Sequence, residues 1–349
     1  MESESALAPV TERVADSGRA SADPRIVNSL PVLVVHAHTS CNCRCLMCDI
    51  WKTSPGKALQ SRDLEPHLGS IRRLGVRWIV FSGGEPLMNP ELPKLCAMLR
   101  EEKIRLTLLT TGLLLGKNAD QVAGSFDDVI VSLDGPPPVH DAIRRVAGAF
   151  ALLQAGVKAL RERRSSIHIT ARTVVQKANH ASLRETARAA KALKLDAISF
   201  LAADLTSTAF NRPLVWPGSR QEEVGLSVRE LHALESEIEL LIQESSQNWE
   251  DGFISEAPDK LRRIARHFSV QLGLRKSESP VCNAPWVSAV VETDGTVRPC
   301  FFHQPIGNLQ EHSLENIINS KSAQDFRKEL DIPTNPICNR CVCSLNYRL

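Results

Sequence analysis

Several familiar signals are missing from this 349-residue chain. Lys and Arg number 42 against 40 Asp and Glu, a net charge of only +2, so nothing marks a nucleic-acid surface, and the basic cluster at 161–164 (RERR) reads as a solvated helix face. No apolar run approaches the roughly 20 residues that cross a bilayer. Residues 1–28 are polar and small, without the apolar segment of a signal peptide, which predicts a disordered extension on a cytoplasmic protein. Cysteine is absent between Cys96 and Cys282.

What is present is therefore uneven. Of ten cysteines, Cys41, Cys43, Cys45 and Cys48 crowd the stretch HTSCNCRCLMCDIWK, and Cys282, Cys300, Cys338, Cys341 and Cys343 lie near the C-terminus. Disulfide frameworks spread through small secreted domains; tight CxxC-type clusters in a chain without a signal peptide point to metal or redox sites. Cys96, in ELPKLCAMLR, fits a helical pattern as a small buried residue.

Between the clusters, short runs rich in Val, Ile, Leu and Phe alternate with helix-compatible stretches. Strands are predicted over 31–38, 78–82, 105–111, 128–134, 167–175 and 197–202. Capping boxes at Ser182-x-x-Glu185 and Ser227-x-x-Glu230 predict helix starts. The second of these helices carries Leu231, Leu234, Ile238 and Leu241 at 3,4,3 spacing. Six repeated units mean a parallel sheet with right-handed crossovers, doubly wound or an open barrel, and ligands then sit at the carboxyl ends of the strands. The loops there are the cysteine cluster, SGGEP (Ser82 to Pro86), TTG (Thr110 to Gly112) and SLDGPPPVHDAIRR. The expected organisation is a core over 29–204, a helical connecting region over 205–280 and a cysteine-rich unit over 281–349. In the connecting region, TAFNRPLVW is expected either to pack as a spacer or to wall the substrate pocket.

These features resemble the radical S-adenosylmethionine enzymes. That family uses C-x3-C-x2-C, a spacing met here only by Cys41, Cys45 and Cys48. Three thiolates hold three irons of a 4Fe-4S cluster and leave the fourth open. The resemblance implies a partial (β/α)6 TIM-like barrel in which S-adenosylmethionine chelates that iron and is cleaved to methionine and a 5'-deoxyadenosyl radical that abstracts hydrogen from a substrate. It further implies that Gly83, Gly84 and Glu85 receive the methionine ammonium, and that Ser132, Asp134 and Arg144 contact ribose and carboxylate, with Arg172 a further contact. The strand at 197–201 would lie against adenine. Relatives commonly place Thr where His38 stands; His36 and His38 share one strand face and could point into the barrel.

The C-terminal segment reads as two strands joined by the turn TDGT, with Cys282 and Cys300 at its outer ends, followed by Cys338-x2-Cys341. Composition alone equally describes a zinc site. The resemblance implies a SPASM domain in its shortened, one-cluster twitch form, with one auxiliary 4Fe-4S cluster on Cys282, Cys300, Cys338 and Cys341, and Cys343 either spare or a substitute for Cys341. Four protein ligands imply an electron-transfer or structural role. Sulfatase-maturing relatives carry Asp directly after the G-x4-C cysteine; Phe301 stands here, which argues against that activity and leaves His303 as the candidate base.

Two substrate classes follow: a small molecule such as an aminocyclitol, a cofactor precursor or a tetrapyrrole, or a residue of a ribosomally made peptide. The roughly 30 residues ahead of the first strand are too few for a leader-binding domain, which favours the small molecule. The resemblance also implies an electron donor such as flavodoxin or ferredoxin. A non-catalytic metal scaffold is the remaining alternative, but it has no use for an open iron or for the loops beside it. Cys43 stands outside the ligand triplet, so Cys43→Ala is expected to retain the cluster and S-adenosylmethionine cleavage, measured as 5'-deoxyadenosine released under dithionite.

Overall fold

The computed structural model describes residues 23–244 and 252–347. All six predicted strands form: β1 Val32–His38, β2 Trp78–Gly83, β3 Arg105–Thr110, β4 Asp128–Ser132, β5 His168–Val175 and β6 Ala197–Ala202. They pair in sequence order, each parallel to the next. Three more strands, β7 Ser288–Val291, β8 Thr296–Arg298 and β9 Gly307–Asn308, extend the same sheet in the order β6-β5-β4-β3-β2-β1-β7-β8-β9. The result is an open, partial barrel.

The two faces of this sheet differ because helices cover only one. Leu33 and Val35, Ile79 and Phe81, Leu106 and Leu108, Val129 and Val131 are without exposure. Against that core pack the helix Leu92–Glu101, through Leu92, Leu95, Cys96 and Leu99, and the helix Ala149–Arg163, through Leu153, Val157 and Leu160. Cys96 is thus a packing residue, its thiol pushed up to about 12 by burial. The alternate positions, among them Val34, His36, Ser82, Ser132, Arg172 and Leu201, are half-buried and share the other, concave face.

The C-terminal hairpin continues the sheet of the barrel. β7 pairs parallel with β1, Val32 opposite Ser288 and Val35 opposite Val291, before the antiparallel hairpin turns back. Parallel pairing across some 250 residues leaves no local pattern to read. The N-terminal extension also ends earlier than residue 28. Asn319 exchanges two 2.9 Å hydrogen bonds with the Val27 backbone, Trp286 Nε1 donates to Pro24 O and Arg327 Nε to Arg25 O. The rest of that expected extension, residues 1–22, lies outside the described residues.

The two capping boxes part company. At Ser227 the box closes, with Ser227 N donating to Glu230 Oε2 and Glu230 N to Ser227 Oγ. At Ser182 it does not, because the hydroxyl donates to Asn179 O within the tight turn that precedes the helix Leu183–Ala192. The connecting region supplies the helices Gly218–Val224, Val228–Glu244 and Pro258–Gln271, and Ile254 bridges to Ile198 beside β6. β1 is the strand shared by both parts of the sheet. Leu33→Ala, which empties a fully buried site there, is expected to cost about 2–5 kcal/mol, read as a lowered urea midpoint.

Candidate functional site

The cysteine loop leaves β1 at His38 and is held first by backbone. Gly84 N donates to His38 O (2.8 Å) and Glu85 N to Ser40 O (2.9 Å), while Ser40 N donates to His38 Nδ1. A Cβ on Gly84 would lie 2.1 Å from Ser40 O, and Gly83 has φ +112° with His38 O 2.7 Å from its Cβ position. The glycines of SGGEP are thus required for one loop to lie flush on the other.

Glu85 locks a third loop onto these two. Its buried carboxylate accepts from Thr110 Oγ1 (2.8 Å), Thr111 N (2.7 Å) and Leu87 N (3.1 Å). Burial pushes this carboxyl up, and those donors pull against it. Thr111 Oγ1 in turn donates to Asn42 Oδ1, inside the cysteine loop. Glu85, expected to receive an ammonium, has its carboxylate engaged by the chain's own donors.

Arg144 grips the loop from the far side. At the end of the helix Pro137–Arg144, Arg144 O and Ile143 O accept from Arg44 N and Leu46 N. Its guanidinium pairs with buried Asp134 at 2.6 Å and donates to Cys45 Sγ at 3.4 Å. Asp134 Oδ1 also accepts from Val174 N, while burial pushes the Asp134 carboxyl up and Arg144 pulls it down. Asp134 and Arg144, expected at the cofactor, form an internal clamp that reaches a thiol. Ser132 and Arg172 are neighbours in register on the concave face, with Arg172 Nε donating to Ser199 Oγ.

Cys43 is fully buried in an apolar cluster with Met47, Ile143, Leu205 and Trp216. Its hydrogen bonds to Cys41 and Cys45 push its own thiol up and favour thiolates at those two; for Cys45, with Arg144 adding to the effect, the value falls to about 6. Cys48 is pushed up to about 12 by burial, although Ile50 N donates to its sulfur. Among the described residues no three His, Cys, Asp or Glu side chains are close enough together to hold a single ion. Three soft sulfurs on one short loop, with N–H donors aimed at two of them, fit an anionic iron–sulfur cluster.

Sequence reading missed the loop that follows β6, apart from TAFNRPLVW as a possible wall. Arg212, with no side-chain exposure, pairs with Asp204 at 2.6 Å, donates to Met47 O at 3.1 Å and lies 3.7 Å over the Trp216 ring. Trp216 Nε1 donates to Asp49 Oδ2. Phe210 and Asn211 both adopt left-handed φ, +60° and +61°, a strained pair of the kind that marks functional loops. Phe210 packs against Phe301 at 4.8 Å and Phe302 at 6.2 Å, and Phe301 against His36 at 5.7 Å. An aromatic wall thus joins the concave face to the residues directly after Cys300. The only local hint was an Arg and a Trp within the loop TAFNRPLVW.

Cys282, Cys300, Cys338, Cys341 and Cys343 gather at the second site, near enough for each other's charge to be felt. Burial pushes Cys300 up to about 11 and Cys338 up to about 12. Asn335 Oδ1 shapes the turn by accepting from Ile337 N and Cys338 N. Cys343 is exposed, and its carbonyl accepts from Cys341 Sγ. His303, expected as a base, is buried at this site with Nε2 3.3 Å from Cys338 Sγ and its ring against Phe326. His36 is a titratable ring on the concave face; burial lowers it to about 4, and among the described residues its Nε2 has no hydrogen-bond partner.

Known proteins carry the same two parts. Residues 37–190 match the radical SAM superfamily and residues 282–342 match the SPASM iron–sulfur cluster-binding domain. The chain is 27% identical to Fe-coproporphyrin III synthase of Methanosarcina barkeri, over 91% of this chain and 83% of that one. It is 33% identical to pre-heme d1 synthase of Dinoroseobacter shibae over 46% of this chain, and the match spans 41% of that protein. Among solved structures, anSMEcpe with bound AdoMet superposes with a TM-score of 0.64 at 19% identity, over 87% of this chain and 84% of that one. Streptococcus suis SuiB bound to S-adenosylmethionine gives 0.63 at 16%, over 86% and 68%. The chain belongs to the radical SAM superfamily. More particularly, it is a radical SAM enzyme with a SPASM domain, whose cofactors are S-adenosylmethionine, a 4Fe-4S cluster and an auxiliary iron–sulfur cluster.

Two outcomes follow from the clamp and the flush loops. Arg144→Met leaves Asp134 buried and uncompensated, so it is expected to destabilise the protein by about 3–5 kcal/mol, and Asp134→Asn added to it should restore part of the loss in thermal or urea unfolding. Gly84→Ala displaces Ser40 and the loop behind it, and is expected to lower the iron retained after anaerobic reconstitution by about half.

Proposed function

We propose that this enzyme abstracts hydrogen from a coproporphyrin-type tetrapyrrole and completes a two-electron oxidation or rearrangement with help from the auxiliary cluster. The observation that supports this most is the match to Fe-coproporphyrin III synthase, which runs through both domains rather than the barrel alone. The aromatic wall of Phe210, Phe301 and Phe302 supports it as well, since a flat apolar macrocycle packs well on aromatic side chains.

In this reading Cys41, Cys45 and Cys48 hold the radical cluster, and Cys282, Cys300, Cys338 and Cys341 hold the auxiliary one. Bound there, the first cluster would supply the electron for reductive cleavage of S-adenosylmethionine, and the second would offer an acceptor for the electron lost by the substrate. Arg144 and Ile50 N steady the sulfurs of Cys45 and Cys48. Gly83, Gly84 and the backbone of Glu85 offer a rim for the methionine end, and Ser132 and Arg172 line the concave face for ribose. His303 steadies Cys338, and His36 is the better placed group to take a substrate proton. The electron donor is a small redox protein such as flavodoxin or ferredoxin. A cytoplasmic setting is supported by ten free cysteines and by the absence, among the described residues, of a helix long and apolar enough to cross a membrane.

Two measurements test this. Iron should be about eight per chain and fall to about four when Cys41, Cys45 and Cys48 are all replaced by Ala; no fall would refute the ligand assignment. Incubation with dithionite, S-adenosylmethionine and Fe-coproporphyrin III should raise 5'-deoxyadenosine above the substrate-free background and change the porphyrin mass. No rise with coproporphyrins, together with a rise on a short peptide encoded beside the gene, would replace this reading with peptide maturation.

A further inference from the structure

A cavity of about 510 Å³ opens between the carboxyl end of β6 and the auxiliary cysteines, a volume typical of small-molecule sites. One wall is Leu201, Ala202, Thr206 and Gln221, from the segment whose Arg212 and Trp216 pin the radical loop; Gln221 Nε2 itself donates to Trp216 O. The opposite wall includes Cys341. A molecule seated there touches elements that hold both groups of thiols.

The lining is strongly cationic. Lys260, Arg263, Arg266, Arg275, Lys276 and Arg340 all face it, against Glu278 as its acidic residue. Among the described residues only Lys260 of these six has an ion pair, at 3.7 Å to Glu256. Arg263 donates to Cys341 O and Arg266 to Asp259 O, and among the described residues the buried Arg266 Nε has no hydrogen-bond partner. In a chain of net charge +2, a recess with six cations and one acid is a local concentration rather than a general bias. Arginines gathered with free N–H groups around a cavity suit planar, bidentate anions, and carboxylates above all.

We propose that this cavity binds the carboxylate groups of a small, multiply anionic substrate and so anchors it between the two cluster sites. The proposal rests on the small-molecule reading above, and a coproporphyrin, with four propionate groups on an apolar ring, would set its carboxylates against these cations.

Equilibrium dialysis against the anaerobically reconstituted enzyme tests it with three probes: coproporphyrin III, its uncharged tetramethyl ester, and mellitate, a hexacarboxylate without a porphyrin ring. Coproporphyrin III should bind more tightly than the ester, and Arg266→Gln with Lys276→Gln should raise its Kd at least about tenfold while iron content stays at the wild-type level. Mellitate binding that is lost in the double variant, with no coproporphyrin binding, would keep the anion cavity and discard the tetrapyrrole. Coproporphyrin binding of equal strength in wild type and double variant would discard the cavity and keep the tetrapyrrole. Binding of neither polyanion would overturn the proposal. A double variant that loses iron is replaced by Arg275→Gln, whose side chain is exposed, with the same Kd rise expected.

Discussion

The backbone of Gly83–Glu85 lies directly on the backbone of His38–Ser40, and the site is assembled from that contact outward. Two amide hydrogen bonds join the loops, and the missing Cβ of Gly84 is the space that Ser40 O occupies. Glu85 then carries the constraint to the third strand through Thr110 and Thr111, and Thr111 returns it to the cysteine loop at Asn42. A loop of alternating thiols has little regular structure of its own, so its shape comes from these neighbours.

Two buried arginines complete the enclosure from opposite sides. Arg144, paired with Asp134, reaches the Cys45 sulfur; Arg212, paired with Asp204 and covering Trp216, reaches the carbonyl of Met47. Neither cation is free to leave, because each would strand a buried carboxylate. The charge needed beside an anionic cluster is therefore supplied by ion pairs that also join loops distant in sequence.

Much of this is legible in the amino-acid sequence. Six strands announced themselves by short β-branched and aliphatic runs, and the C-x3-C-x2-C spacing set Cys43 apart from its neighbours. Less legible was anything decided by partners far along the chain. Glu85 and Arg144 had the right chemistry to meet a cofactor, but nothing local showed that Thr111, Asp134 and Cys45 would engage them. Ser182 and Ser227 share one motif, and only the turn at Asn179 distinguishes them. His303 stood in a plausible place for a base until the fold set it against Cys338.

The pairing of β7 with β1 has a consequence for electron flow. Phe301, directly after Cys300, packs 5.7 Å from His36, and the first cysteine loop begins two residues further along β1, at His38. Both cysteine segments are therefore tied to one continuous sheet rather than to two bodies joined by a hinge. A change in the interval between them would have to break the β1–β7 ladder.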